Sequence, residues 1–453
     1  MKIKRISGII FPTAVFLIIS YSSLSAQEIR SISLDNAISL ALQNNHVLNI
    51  KRLQVEEKQQ KVNEDKVKYL PVIGIGGSYQ YNTNLQVLTI EQGRFGQLPY
   101  AGIMIPLPAT NEVFELGNHN VYNAGVSIYQ PITQIGKIKS GVNYSKTEMK
   151  IAETEKTKAI LQVKQAVERL YFGLLIVQKQ IEEAELRVSL ANTKLHDAEI
   201  SMSAGKTTES SIYGLSAGMA DEQQKLLKLK MQYDDLSTDL IQLTGLDPAL
   251  NIIPEPVSPE NMAENIASID TSLIMAGLHN NDMKLAALSK VKAEYSIKAS
   301  KFSYLPDLGL QGGYTYQEGI DIYPKNNAYI GASLKWNLND VLSNRMVQKQ
   351  RMYISRQAEE NLYNTREKVN SDIVKAYRKL KQSEELIRVA GKVVEYRRED
   401  LKIQSDRRRS GMNLEADLIE AKASMAKADA DLYAAQLNYR ISLSELKILT
   451  GSY

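Results

Sequence analysis

The sequence predicts a mainly α-helical chain with a transmembrane β-barrel portion: long antiparallel helical hairpins, four barrel strands, and two duplicated halves. Three observations carry this prediction. Proline is absent from Ile132 to Asp247 and from Lys325 to Tyr453, stretches of 116 and 129 residues in which glycine is also sparse. Four shorter runs alternate apolar and polar side chains. The two halves also match one another, over most of their length at a constant offset of 206 residues.

Composition removes several classes at once. The 453 residues include 55 Lys+Arg against 51 Asp+Glu. Without the leader cations Lys2, Lys4 and Arg5 the remainder is close to neutral, which excludes a strongly basic nucleic-acid binder. The chain has no cysteine, so disulfides, thiolate nucleophiles, Cys zinc sites and a lipidated N-terminal Cys are ruled out. The four histidines, His46, His119, His196 and His279, are scattered. No metal or cofactor is expected.

Residues 1–26 read as a secretory signal peptide. Three cations precede the apolar run from Ile9 to Ile19, and small residues follow at Ser22, Ser23, Ser25 and Ala26. A single-span anchor is the competing reading, but the run is short and no stop-transfer pattern follows. Beyond the leader no stretch reaches the ~18–20 apolar residues of a spanning helix. A crossing of the membrane must therefore be made by strands.

The first repeat is expected over 27–249 as helix, two strands and long helical hairpin. Ile73, Ile75, Gly77, Tyr79 and Tyr81 alternate with polar or small residues, and so do Ala124, Val126 and Ile128. About thirty residues around Leu85 to Asn120, without a counterpart in the second half, read as a loop between these strands. A helix from about Ser140 to Ala204 follows, roughly 100 Å long at ~1.5 Å per residue. Interior Pro costs about 3 kcal/mol and Gly about 1 kcal/mol in a helix, so their scarcity suits such length. Ser203-Ala204-Gly205-Lys206 then reads as a tight turn with Gly at the C-terminal stop.

A Pro-rich linker over 250–262 leads to the second repeat, 263–453. Here the alternating runs are Leu308 to Tyr316 and Ala328 to Leu338, and the turn is Arg409-Ser410-Gly411-Met412. Period two over about ten residues suits barrel strands, although a half-buried soluble sheet alternates in the same way. Tyr79, Tyr81, Tyr314, Tyr316 and the single Trp336 tilt the balance, because amphipathic rings collect at membrane interfaces.

Both long helices carry an unbroken seven-residue repeat, Val167, Leu174, Ile181, Val188, Leu195 and Ile373, Leu380, Ile387, Val394, Leu401. Such a repeat keeps a seam facing its partner through a left-handed supercoil. The second seam position is mixed (Tyr377, Glu384, Gly391, Arg398), which favours a wide helical wall over a two-stranded zipper. Matches at 206 include Tyr171 with Tyr377, Gly205 with Gly411, and Leu243-Thr244-Gly245 with Leu449-Thr450-Gly451. Upstream, Asn44-Asn45 matches Asn280-Asn281 at 236, and Tyr69-Leu70-Pro71 matches Tyr304-Leu305-Pro306 at 235. Four strands cannot close a barrel, and open edges in lipid leave backbone groups unsatisfied, so several copies must share one barrel.

With this ordered set of elements, paired Tyr-Leu-Pro strand entries, glycine turns and Leu-Thr-Gly ends, the chain resembles the TolC family of outer-membrane efflux and secretion channels over about Ile32 to Gly451. The resemblance implies a homotrimer with four strands per chain in one barrel, standing in the outer membrane of a Gram-negative cell. Below the barrel it implies a periplasmic α-barrel of helical hairpins. It also implies docking of a periplasmic adaptor (membrane fusion) protein linked to an inner-membrane pump of RND or ABC type. The function expected is a passive conduit for small molecules or proteins. A periplasmic coiled-coil adaptor is the alternative, but it normally has one hairpin and soluble β domains.

Candidate working positions cluster at the hairpin tips. Asp417 and Glu420, three apart and so on one helix face, fall where the family has acidic residues at the periplasmic entrance. Repeated by threefold symmetry they would form acidic rings that favour cations. Arg407, Arg408 and Arg409 would latch that gate onto a neighbouring hairpin. Ser211 stands where the first half would need the equivalent of Asp417. Gly205, Lys206, Gly411 and Met412 are the candidate adaptor-docking tips. The enzyme readings are weak: Gly205-Lys206-Thr207 mimics the end of a phosphate loop, but Ile200 replaces its first glycine.

Overall fold

The structure, a computed structural model, describes residues 29–257, 267–320, 323–412 and 415–451. The signal peptide expected over 1–26 lies outside the described residues, as do residues 258–262 of the Pro-rich segment. The first half runs β1 (Ile29–Ile32), α1 (Leu34–Asn44), α2 (His46–Val67), β2 (Val72–Tyr81), β3 (Gln86–Ile90), β4 (Gln97–Tyr100), β5 (Ile103–Pro106), β6 (Glu112–Leu116), β7 (Asn120–Pro131), α3 (Ile135–Ser203), α4 (Glu209–Thr244) and β8 (Asn251–Pro254). The second runs α5 (Ile269–His279), α6 (Asn281–Phe302), β9 (Asp307–Glu318), β10 (Asn326–Lys335), α7 (Leu338–Arg409) and α8 (Glu415–Thr450). The duplication is visible element by element: α1 and α5 both have 11 residues, α2 and α6 both 22, and α4 and α8 both 36.

Helices α3 and α7, of 69 and 72 residues, run without a break. At ~1.5 Å per residue each is roughly 100 Å long. Near the sheet α3 packs against α2 and α6, and toward the other end against α4 and α8, while α7 packs on α6 and then on α8. The wall is thus four helices wide at each level, α2-α3-α6-α7 above and α4-α3-α8-α7 below. The heptad seams lie inside it: Val167, Leu174, Ile373, Leu380 and Val394 are buried, and the other five seam residues are half-buried.

The shorter helices meet end to end, which explains two of the matched sequence pairs. Asn45 caps α2, its Oδ1 accepting from the N–H groups of Val47 and Leu48. Its Nδ2 points the other way and donates to the carbonyl of Leu243 in the last turn of α4, 3.5 Å away. In the second half Asn280 caps α6 through Asp282 and Met283 and donates to the carbonyl of Leu449 of α8 at 2.9 Å. Gly245 and Gly451 end α4 and α8 at φ 68° and 70°. A Cβ on Gly245 would lie 2.7 Å from Asn44 Cβ, and one on Gly451 2.6 Å from His279 Cβ. The equivalent asparagines are therefore Asn45 and Asn280, at an offset of 235. The offset of 236 read from the Asn-Asn pairs is a one-residue slip, since it aligns a cap with a helical residue.

Where the sequence suggested one leading helix per half, the structure has two, broken at these caps. Part of the Pro-rich linker is also more than a connector. Its β8 pairs in parallel with β1, Ile29 opposite Asn251 through Ile32 opposite Pro254. This short ribbon seals the core of the first half, where Ile32, Ala37, Ala41, Val167, Phe172, Leu174, Leu240, Ile252 and Leu437 are buried together. Tyr171 is fully buried beneath it. Its hydroxyl lies 3.0 Å from the carbonyl oxygen of Ile32 and 2.8 Å from that of Glu255, so one phenol ties α3 to β1 and to the residue that follows β8.

The segment read as a loop between the first two strands is a two-tier hairpin. β3 pairs with β6 and β4 with β5, forming a finger beyond the end of β2 and β7. The main sheet has four antiparallel strands in the order β10-β9-β7-β2, with β10 and β2 at its edges.

Burial, and next the charge of Glu255, hold the Tyr171 phenol far above its usual range. Its neutral form is therefore favoured in the folded chain. The associated stability is complete below the unfolded tyrosine pKa of about 10 and is lost as pH rises beyond it. Tyr171→Phe should cost about 1 kcal/mol near neutrality through the lost hydrogen bond. The cost should shrink between about pH 10 and pH 12, measured as denaturant midpoints of both proteins followed by helical circular dichroism. A pH-independent difference would refute the assignment.

Candidate functional site

Two regions carry the chemistry: the four-stranded sheet at one end and the hairpin tips at the other. The register fixes which side chains share a face of the sheet. Ile73, Ile75, Gly77 and Tyr79 of β2 stand opposite Ile128, Val126, Ala124 and Tyr122 of β7. Val126 and Ile128 stand opposite Tyr314 and Gly312 of β9, which stand opposite Ala328 and Ile330 of β10. This face is apolar, and in the single chain it is open, with Ile75 84% and Ile330 93% exposed. The other face carries Ser78, Gln80, Asn123, Ser127, Gln311, Thr315, Gln317, Asn327 and Ser333. Strands of 10 to 12 residues with one apolar and one polar face have the dimensions of a membrane barrel wall.

Aromatic rings sit toward both ends of the apolar face. Tyr79 and Tyr122 lie side by side with ring centroids 5.2 Å apart, and Tyr81 stacks on His119 at 5.7 Å. The phenols of Tyr79, Tyr314 and Tyr316 donate to Asn120, Asn326 and Glu318. Each ring thus has a polar partner at its tip. Trp336 is at the opposite end, exposed and one residue beyond β10. The alternating run read from Ala328 to Leu338 is shorter than expected. It stops at Lys335, and Leu338 opens α7.

Both hairpin turns are Schellman motifs. Gly205 N–H donates to the carbonyl of Met202 and Lys206 N–H to that of Ser201, each at 2.9 Å. Gly411 and Met412 bond to Arg408 and Arg407 in the same pattern, at 3.1 and 2.9 Å. Gly205 and Gly411 have φ of 72° and 70°, and a Cβ on either would meet nothing within 4 Å. These glycines answer a backbone requirement and not a steric one. Gly205, Lys206, Gly411 and Met412 are all exposed.

The acids stand just above the second turn. Ala416 and Ile419 pack with Leu190 of α3, which turns Asp417 and Glu420 to the exposed side of α8. Glu420 Oε2 lies 3.2 Å from Nζ of Lys194, one helical turn beyond Leu190. This pair joins the two hairpins, and sequence reasoning missed Lys194 entirely. The pairs of Arg408 and Arg409 are local instead: Arg408 to Glu415 across the turn at 2.9 Å, and Arg409 to Asp406 at 3.6 Å. Within one chain these two arginines brace their own hairpin, and Glu420 with Lys194 makes the link between hairpins. Glu415, seven residues after Arg408, is a partner that the spacing across the turn would have revealed. At the first tip Ser211 Oγ lies 3.1 Å from Thr208 Oγ1, and the acid in the first turn of α4 is Glu209, the counterpart of Glu415, which accepts from the Tyr213 hydroxyl at 3.1 Å.

The sequence suggests no hydrolase motif, yet one run has the spacing of one. Gly214-Leu215-Ser216-Ala217-Gly218 has Gly-x-Ser-x-Gly spacing, but it lies inside continuous α4. A nucleophile elbow needs a strained strand-to-helix turn.

The profile of a family described as outer membrane efflux protein matches residues 37–246 and 274–452, one segment in each half. No characterised protein sequence matches the chain significantly. Among solved structures it is similar to the Campylobacter jejuni CmeC outer membrane channel, with TM-score 0.73 and 17% identity over 92% of this chain and 85% of that one. It is similar to a membrane protein from Pseudomonas aeruginosa, with TM-score 0.71 and 14% identity over 92% and 93% of the two chains. It is also similar to the outer membrane protein VceC of Vibrio cholerae, with TM-score 0.68 and 16% identity over 92% and 96%.

Lys194 and Glu420 are both more than a third exposed, and such a pair is worth about 0–1 kcal/mol. Glu420→Gln should therefore move the thermal midpoint by less than ~3 °C. A loss of ten degrees or more in a thermal scan would show that the link holds the fold together.

Proposed function

The chain belongs to the outer membrane efflux protein family, and from that premise we propose that three copies join their four-stranded sheets into one twelve-stranded barrel. The observation that carries the proposal is the open, amphipathic sheet joined directly to helices of 69 and 72 residues. Each edge, β2 and β10, has a row of backbone groups with no partner strand among the described residues of its own chain. In hydrocarbon such groups cost several kcal/mol apiece. Pairing β2 of one copy with β10 of the next satisfies both rows, and closure after three copies leaves no edge. The apolar face then meets outer-membrane lipid, with Tyr79, Tyr81, Tyr314, Tyr316 and Trp336 at its two interfaces. The polar face lines a water-filled passage.

In this reading the helical wall continues the passage through the periplasm. The chain is a passive conduit in a tripartite efflux or type I secretion system, with no catalytic chemistry of its own. Energy comes from an inner-membrane pump of RND or ABC type through a periplasmic adaptor. The adaptor docks at Gly205, Lys206, Gly411 and Met412, the most distant exposed points from the sheet. Two hairpins and a membrane-type sheet speak against the chain being that adaptor itself.

The mass of the detergent-extracted particle from isolated outer membranes, with bound detergent matched out, tests the assembly. Three processed chains per particle are expected. A one-chain particle, or protein missing from that membrane fraction, would overturn the reading.

Asp417 and Glu420, repeated three times, give acidic rings at the narrow end, and the Lys194 link draws α8 toward the first hairpin. Asp417→Asn with Glu420→Gln should lower cation preference and weaken block by multivalent cations in planar-bilayer recordings. Unchanged values of both would remove these residues from the gate.

A further inference from the structure

The finger between β2 and β7 has no role in the conduit as described. It comprises β3 to β6 and interrupts the duplication, since β9 and β10 are joined without one. It is firmly rooted. Asn82 N–H donates to the carbonyl of His119 at 2.8 Å, and Asn118 N–H to that of Gly319 at 2.7 Å. A Cβ on Gly117 would lie only 2.7 Å from the Gly319 carbonyl oxygen. Its root lies beyond the tyrosine row, so the finger projects from the exterior end of the barrel wall.

Its surface is unusual for a projecting ribbon. From Phe95 to Pro108 there is no charged residue, yet Phe95, Tyr100 and Ile103 are 71%, 73% and 68% exposed. In its upper tier both faces are largely apolar. The β4–β5 register puts Leu98 with Ile105 and Tyr100 with Ile103 on one face, and Pro99 with Met104 on the other. The lower tier is mixed, with Leu88 opposite Phe114 and Ile90 opposite Glu112 on one face, and Val87 opposite Glu115 and Thr89 opposite Val113 on the other. A lipid surface or a single flat partner would cover one face and leave the other in water.

We propose that the fingers of the three copies pack against one another, face to opposite face, as an apolar collar over the exterior mouth. The proposal rests on the trimeric reading above. A heterologous contact in which one face meets the other face of the next copy closes into a ring under threefold rotation and covers both faces. The root position fits, because the finger rises from edge strand β2, where the seam to the next copy lies. The length fits as well. Nine residue pairs at ~3.4 Å make a ribbon about 30 Å long, against a radius of roughly 12 Å for twelve tilted strands. The tiers meet at a bend where Gly93 and Gly96 have φ of 79° and 96°, which allows the upper tier to lean over the axis.

The absence of native cysteine makes the test clean. Leu98→Cys combined with Met104→Cys, oxidised on intact cells, should give a covalent trimer on a denaturing gel, while each single variant stays monomeric. A monomeric double variant whose detergent particle still weighs three chains would overturn the collar and leave the conduit standing. A one-chain particle of the unaltered protein would overturn both. A second measurement needs no disulfide. Arg94 is the only Lys or Arg between Asn82 and Asn118, so trypsin cleavage there reports access to the finger. Leu98→Asp with Met104→Asp should speed that cleavage at least tenfold in the trimer, and an unchanged rate would also overturn the collar.

Discussion

Two asparagines each serve two helices, and the height of the molecule depends on them. Asn45 and Asn280 satisfy the first N–H groups of α2 and α6 with one side-chain atom and a terminal carbonyl of α4 and α8 with the other. A helix end buried without such partners would strand polar groups at about 1–3 kcal/mol each. With them, two helices of 22 and 36 residues act as one column. The positive end of one dipole also meets the negative end of the other. Those columns flank α3 and α7 along their length, and without them a 69-residue helix would present its seam to water over half its span. Gly245 and Gly451 belong to the same joint, because a side chain there would push the column ends apart.

The other end of the molecule is governed by backbone pairing. An edge strand of about ten residues leaves several N–H and C=O groups unpaired, and in lipid their combined cost is tens of kcal/mol. The ion pairs decorating the helices are mostly exposed and worth about 0–1 kcal/mol each. No arrangement of them offsets an open edge in a membrane. Assembly is therefore a condition for the sheet to exist where its apolar face belongs, and is not a refinement added to a stable monomer. The helical wall tolerates solvent along its outer face in a way that the sheet does not tolerate lipid along its edges.

Much of this was legible in the sequence wherever the signal was local and periodic. The seven-residue seams, the alternation along β2, β7, β9 and β10, and the two glycine turns each follow from spacing within one element. What escaped was non-local or too short. β1 and β8 have four residues each, below the length at which alternation is visible, and they pair across the whole first half. The finger was read as a loop because it has no counterpart in the second half, and its strands of four and five residues are too short for a period of two to show. The Lys194–Glu420 pair joins residues 226 apart and, unlike the turns, has no repeat partner: Asp400 and Gly214 occupy the matching positions in the other half. The Asn-Leu-Thr-Gly correspondence was visible but misaligned by one, because two adjacent asparagines hide which one is the cap.

The link between the hairpins bears on how a gate at that end would be operated. Moving a two-state equilibrium from 1:99 to 99:1 takes about 5.5 kcal/mol. In the proposed trimer, three copies of an exposed pair such as Lys194 with Glu420 would supply at most ~3 kcal/mol and could not lock a closed state alone. The remainder has to come from the small apolar contact of Leu190 with Ala416 and Ile419, of the order of 1.5–3 kcal/mol per fully buried large side chain. That contact lies within two turns of Gly411, on the same helix end that carries the exposed tip. Under the proposed function, an adaptor holding the tips would need only to tilt α8 away from α3 to separate Leu190 from Ile419, and the ion pair would separate with them. Shallow packing at the tip would thus make opening of the proposed gate inexpensive. The deep core around Tyr171 and Leu240, far up the same helices, remains undisturbed.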